Sequence, residues 1–387
     1  MSDTHVPDWH PDSKAVRENQ RDAYDDMRER CPVAYSDARG WSIFRHEDVA
    51  RILNDPASFS NAVSSHRAVP NGMDPPEHTM YRAIIDRYFT PERVAIFEPV
   101  CREIVASLLS DGLASANIEL MADFAVPFAS RVQCAFLGWP AHMASSLAKW
   151  AQKNYEATRA GDRNAITKTA REFQHFIDDR IEACLQDETG PAEEVTADLM
   201  LQEVRERPLN NEEIASILRN WTVGEIGTIA ASVGILVHFV AGHPDLQEQF
   251  RRQPGMLPAA IDEILRIDGP LVSNRRVTTC PVTIAGRAID AGERISVNWI
   301  AANRDSRVIE DPDSFRLDRD YATNLLYGAG IHICPGAPLA RMELRVTMEE
   351  LLQRTARIQL VPDSPAARAA YPASGFSTLP LRLEWAS

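Results

Sequence analysis

The sequence predicts a mainly α-helical protein, a large helical body with small β-sheets at its edges, and three observations predict it. From Pro75 onward apolar residues recur at three- and four-residue spacing over long stretches, with polar residues between them. One stretch, opening at Asn210 and Asn211 and closing at Gly242 ahead of Pro244, holds about 30 residues, roughly 45 Å of helix. Beyond Leu271 the pattern breaks into short alternating runs with turns at Gly286 and Gly292.

Taken in order, residues 18–30 predict a helix, 41–45 a short strand and 47–54 a second helix. With the later strands they form a β-rich edge around residues 31–70 and 271–300. The helical body covers 75–270 and 338–355. Within it, 93–109, 141–157 and 164–185 are amphipathic, punctuated by Pro140 and by the stretch 188–193. The long helix has Asn caps followed by Glu212 and Glu213, acids suited to a helix N-terminus. It is polar at its start and apolar nearly all round later, so it must run through the core. Residues 277–284, 287–290 and 294–297 read as strands, 338–355 as a helix, and 376–385 alternates like a terminal hairpin. Neither an internal repeat nor a Gly/Ser linker divides the chain, so one domain over 1–387 is expected.

Composition narrows the function. The chain is 44% hydrophobic and 25% charged, ordinary for a folded soluble protein. A formal net charge of −14 argues against non-specific nucleic-acid binding, which needs clustered Lys and Arg. Residues 1–12 are polar and acidic, unlike a signal peptide. The most apolar run, 226–241, is shorter than the roughly 20 residues of a membrane span and contains Thr228, Ser232 and His238. A buried core helix and a cytoplasmic protein are expected. The six cysteines, at 31, 101, 134, 184, 280 and 334, include no C-x-x-C pair, which argues against a zinc site or a disulfide framework.

One cysteine has context. Residues 327–343 read Y-G-A-G-I-H-I-C-P-G-A-P-L-A-R-M-E. Gly328 and Gly330 allow a loop to approach a flat ligand closely. Cys334 follows, then Pro335, Gly336 and a helix from Pro338, whose N-terminus is expected to lower the thiol pKa.

This run resembles the haem-binding signature of the cytochrome P-450 family, an aromatic residue, then G-x-G-x-H/R-x-C-x-G and a helix with L-A and an acid. Only the first position differs, with Tyr327 for the usual phenylalanine. Other segments of the chain fall in the family's order. Glu263 and Arg266, the glutamate 71 residues before Cys334, resemble its E-x-x-R, and Arg319 stands where the family completes a structural triad. His78 and Arg82 resemble its H-x-x-x-R on the helix over the proximal haem face. Arg276, with Arg275 as a close rival, and His332 match its propionate-binding positions. Thr228, 35 residues before Glu263, matches its oxygen-activating threonine. There the family pattern is A/G-G-x-D/E-T, whereas this chain has Gly224-Glu225-Ile226-Gly227-Thr228. The acid is missing at Gly227, and Glu225 occupies a glycine position. Two readings of Glu225 stay open: a replacement acid on the Thr228 side of the helix, or a residue that merely satisfies a polar spot in the helix.

The resemblance implies the cytochrome P-450 fold, haem b with Cys334 as the axial iron ligand, and Gly328 and Gly336 in the cofactor loop. It implies a monooxygenase that uses O2 on a small hydrophobic or aromatic substrate, by hydroxylation or oxidative dealkylation. Electrons would come from a ferredoxin with its reductase or from a fused flavin/iron–sulfur reductase, received by basic residues such as Arg82, Arg87, Arg341 and Arg345. The chain is also similar to haem domains of the bacterial self-sufficient class, and would then be one part of a larger fusion. A monomer is expected, with a pocket lined by 63–70, 223–228, 271–274 and Phe376. Two other readings are kept: a peroxide-driven or other non-monooxygenase member of the same fold, and a non-catalytic haem sensor.

Overall fold

The computed structural model describes residues 6–64, 67–112, 116–186 and 194–386. Its helical body uses ten helices that matter here: α1 (Gln20–Arg30), α2 (His46–Asn54), α3 (Glu77–Ile85), α4 (Pro91–Ser107), α5 (Val126–Phe136), α6 (Ala144–Ala160), α7 (Arg163–Gln186), α8 (Asn211–Ala241), α9 (Leu257–Ile267) and α10 (Ala337–Arg354). Small sheets lie around it, as the sequence predicts.

Helix α8 explains the architecture. Asn210 Oδ1 accepts the Glu213 amide at 2.9 Å while the Glu213 carboxylate accepts the Asn210 amide at 2.9 Å, a closed capping box. From Ile229 to Val237 every residue is buried, and the helix packs against α5, α7, α9 and α10. Each fully buried Ile, Leu or Val contributes about 1.5–3 kcal/mol, far more than the few tenths by which helix propensities differ. Packing therefore holds α8 in place. Helix α10, which follows the cysteine loop, lies against both α8 and α4.

The largest sheet is built from β1 (Val33–Ser36), β2 (Gly40–Ile43), β3 (Phe59–Ser60), β4 (Ser273–Thr278) and β5 (Arg294–Asn298), in the order β1-β2-β5-β4-β3. Strand β5 runs parallel to β2 and antiparallel to β4. The register sets Arg276 opposite Ile295 and Arg275 opposite Ser296, so the two arginines point to opposite faces.

Several boundaries differ from the sequence reading. The first helix breaks at Asn19, whose side chain caps α1 by accepting the Asp22 amide. The run 277–284 is two strands, because the ladder stops at Thr278 and Pro281 cannot donate to it. The tail is no hairpin. Phe376–Thr378 pairs with Ala367–Arg368, whereas Pro380–Trp385 pairs with Thr355–Leu360 and Asn117–Glu119. Leu379 alone separates the two runs, too little chain for a reversal. Helices α5 and Pro244–Arg252 went unrecognised in the periodicity. The stretch 188–193 lies outside the described residues.

Candidate active site

The loop between the short turn Gly330–His332 and α10 carries Cys334. The Cys334 amide donates to the Tyr327 carbonyl at 2.9 Å, and the Ala337 amide approaches the Cys334 carbonyl at 3.4 Å, closing the loop on itself. Gly330 has φ +68°, and a Cβ there would lie 2.2 Å from the Leu53 carbonyl oxygen, so α2 can press on the loop only at a glycine. From the other side Arg82 of α3 donates Nη1 to the Ile331 and Ile333 carbonyls at 3.1 and 2.8 Å, and Nε to Asp86 at 2.8 Å. A Cβ on Gly336 would stand 3.9 Å from Cys334 Sγ and 3.7 Å from the Phe89 ring.

Cys334 keeps accessible surface although protein closes round it. That burial pushes the thiol above its ordinary pKa, while the Gly336 and Ala337 amides and Arg82 pull it down. The helix-terminal N–H groups do lower the pKa, as expected, but desolvation outweighs them. A metal ion reverses this, since a coordinating thiol is deprotonated outright.

A cluster of potential cations gathers beside the loop. His78 is buried, and its ring centroid lies 4.2 Å from that of His332. The Nε2 atoms of both are buried without a hydrogen-bond partner. Arg276 is buried on the inner face of β4 and donates to the Arg275 carbonyl at 2.7 Å, whereas Arg275 is exposed on the other face. Burial, reinforced by His78 and Arg276, drives His332 down to about 3, and burial brings Arg276 down to about 10. Asp74, the carboxylate that acts on this group, already accepts the Ser60 hydroxyl and the Asn61 amide. Buried donors without acceptors, next to a sulfur, fit the carboxylates of a haem.

On α8, Val223, Gly224 and Gly227 are exposed, and a Cβ on either glycine would meet nothing within 4 Å. Thr228 lies beside them, its hydroxyl donating to the Gly224 carbonyl one turn back. The carboxyl of Glu225 lies against that of Glu343 of α10, and Glu225 Oε1 and both Glu343 oxygens are buried without a hydrogen-bond partner. Burial raises both carboxyls above their ordinary range.

Further out, Glu263 is fully buried. It accepts Arg266 Nε and Nη2 at 2.8 and 2.9 Å and Arg319 Nε at 2.8 Å. Arg266 also donates to the Asn303 and Pro312 carbonyls, and Arg319 to those of Glu310, Asp311 and Ser314. The three residues thus tie α9 to the segment leading into the cysteine loop.

The structure also places the candidate docking arginines and Phe376. Three of the four candidate docking arginines are ion-paired: Arg82 with Asp86, Arg341 with Asp262, and Arg345 with Glu98 and Glu349. Phe376 is buried on Gly234 and His238, farther along α8 than Thr228, while its neighbour Gly375 comes up to Ala231. Part of the 63–70 loop lies outside the described residues. Sequence reasoning missed Asp74, Phe89 and the role of Glu343; only Glu343 left a signal, as the acid that ends the cysteine motif.

Comparison with known proteins agrees with this arrangement. A model of the cytochrome P450 family matches residues 145–365. The cyclomarin C epoxidase of Salinispora arenicola is 29% identical, over 87% of this chain and 88% of that protein. The nocardicin C N-oxygenase of Nocardia uniformis is 32% identical, over 83% of each. Among solved structures, open cytochrome P450 EryK from S. erythraea superposes with a TM-score of 0.85 at 29% identity, covering 94% of this chain and 95% of that one. The chain belongs to the cytochrome P450 family: it has the P450 fold and is an oxidoreductase, a monooxygenase that works with a haem iron, O2, a substrate and a redox partner.

Proposed function

We propose that the chain binds haem b through Cys334 and oxygenates a small hydrophobic or aromatic molecule, by hydroxylation or oxidative dealkylation. The observation that carries this is the convergence of the Cys334 loop, the unpartnered His78 and His332 Nε2 atoms with buried Arg276 beside them, and the open Thr228 face of α8. When bound, the haem supplies activation of O2 and transfer of one oxygen atom to the substrate.

The chain's own residues have separable roles. Cys334 gives the sulfur ligand. His78, His332 and Arg276 take the haem carboxylates by charge-assisted hydrogen bonds, and Arg82 fixes the loop from below while keeping Nη2 for the same anions. Gly328 and Gly336 let the loop lie close. Glu263, Arg266 and Arg319 hold the segment that delivers it. Thr228 donates its proton back into the helix and so offers a hydroxyl oxygen as acceptor on the open face. Glu225, three residues earlier, is the proton source in place of the acid missing at Gly227. Electrons come from a ferredoxin with its reductase or from a fused flavin/iron–sulfur reductase, in the cytoplasm, to a monomer folded as one domain over 1–387.

The reading is tested on reduced protein under carbon monoxide. A red-shifted thiolate-carbonyl band is expected, and Cys334→Ala removes it; a variant that keeps the band overturns the assignment. Glu225→Gln should release peroxide at the expense of product, and unchanged coupling removes Glu225 from the mechanism. Turnover driven by peroxide alone, with none from NADH and a reductase, would favour a peroxygenase.

A further inference from the structure

Glu225 and Glu343 sit on different helices, α8 and α10, and their carboxyl groups meet in the core. Glu343 is fully buried, and both its oxygens, like Oε1 of Glu225, are shut off from solvent without any N–H or O–H donor. The titratable groups around the pair are Cys101 of α4, which feels both carboxyls, and Cys334 and Tyr327 of the loop. None of these is a cation. Thr347, one turn beyond Glu343 on α10, has a buried hydroxyl that also lacks a partner.

Carboxylates only accept hydrogen bonds, so two of them in contact need a donor between them. Facing anions in a desolvated site repel strongly, and such pairs share a proton. Among the described residues no N–H or O–H is bonded to these three oxygens. We propose that Glu343 is the positioning partner of Glu225, and that the two hold a single proton between them, one as acid and one as carboxylate, at neutral pH. The rest of Glu225 keeps some exposure on the Thr228 side of α8. The proton leaves through that side: the O–H bond of Glu225 breaks and an O–H bond forms on the acceptor near Thr228. Two bare carboxylates then face each other, a state that draws a replacement proton from solvent. The inference rests on the proposed role of Glu225 and adds what sets its protonation state.

Infrared difference spectroscopy of the holoenzyme separates the two ideas. The wild type minus Glu343→Gln and the wild type minus Glu225→Gln, each recorded at neutral pH, should show one protonated-carboxyl band that shifts in D2O. Either Gln offers an N–H to the remaining carboxylate, which then ionises, so both substitutions remove the same band and both variants fold. Absence of the band, or its survival in either variant, overturns the pair. Loss of the band in both variants with unaltered coupling of NADH to product in Glu225→Gln leaves the shared proton standing and refutes the donor role of Glu225 instead.

Discussion

Replacing Glu263 tests what holds the cysteine segment. Its carboxylate accepts three guanidinium N–H groups at 2.8–2.9 Å and the Arg316 amide at 3.3 Å, with no exposure of its own. Glu263→Ala leaves Arg266, itself 2% exposed, and Arg319 without their counter-charge. Removing one partner of a buried ion pair costs about 3–5 kcal/mol. Backbone carbonyls remain on both arginines, which favours the lower end. With an unfolding entropy of about 2.1 cal/mol/K per residue over 387 residues, 3–5 kcal/mol lowers the melting temperature by about 4–6 °C. Glu263→Gln keeps the shape but turns an amide N–H toward a guanidinium, so it should lose nearly as much as alanine. The assay is urea unfolding followed by tryptophan fluorescence, with bound haem read in parallel. A glutamine variant within about 1 kcal/mol of wild type would refute the reasoning, because packing rather than charge would then carry the site.

Gly330→Ala should cost about 1–3 kcal/mol from the left-handed backbone alone, more from the 2.2 Å approach to Leu53, and should lower haem retention; thermal unfolding at wild-type temperature would contradict this. Arg276→Leu removes one charged donor from the His78, His332 and Arg276 cluster, about 1.5–3 kcal/mol, so haem binding should weaken roughly 10- to 100-fold, read by transfer to a competing haem acceptor protein. Arg275→Leu, on the opposite face, should leave it unchanged, and equal effects would reject the β4 assignment. Burial alone would raise Glu213, but hydrogen bonds from Arg207, Tyr81 and the Asn210 backbone bring it down to about 2 from 4.5. A depressed carboxyl stabilises above its unfolded pKa and loses that contribution as pH falls from 4.5 toward 2, up to about 3 kcal/mol. Urea midpoints at pH 6 and pH 3 should fall farther for wild type than for Glu213→Gln, and parallel losses would show that the capping box carries no such charge.

Much of this was legible in local chemistry. The Asn210–Glu213 cap, the all-round apolar run of α8 and the glycine-flanked Cys334 are each set by residues a few positions apart, and each stands where the sequence puts it. What depends on distant chain was harder to read. Choosing between Arg275 and Arg276 needs only the alternation of a strand, but which face is inner depends on the register with β5. The tail alternates as a hairpin would, yet its two runs pair with different strands, drawn from distant parts of the chain. The partner of Arg82, Asp86, is four residues away, but Asp262 reaches Arg341 and Glu98 reaches Arg345 only in the folded chain.

The distribution of unsatisfied groups argues for the chemistry more directly than any one residue does. Each buried polar atom without a partner costs about 1–3 kcal/mol, so a fold keeps such atoms where something else completes them. The Glu263 triad is saturated with donors and acceptors, as a structural site should be. Beside Cys334 the unsatisfied atoms include the Tyr327 hydroxyl and His78 Nε2 and His332 Nε2, the two histidines next to a cation, Arg276, that has no bonded carboxylate, and an anion completes these two. Between α8 and α10 the unsatisfied atoms are all carboxyl oxygens apart from the Thr347 hydroxyl, and no anion can enter. A proton can. Two neighbouring clusters of opposite need, one for negative charge and one for positive, are what a haem with two carboxylates and a reaction that consumes protons would leave in the protein that serves them.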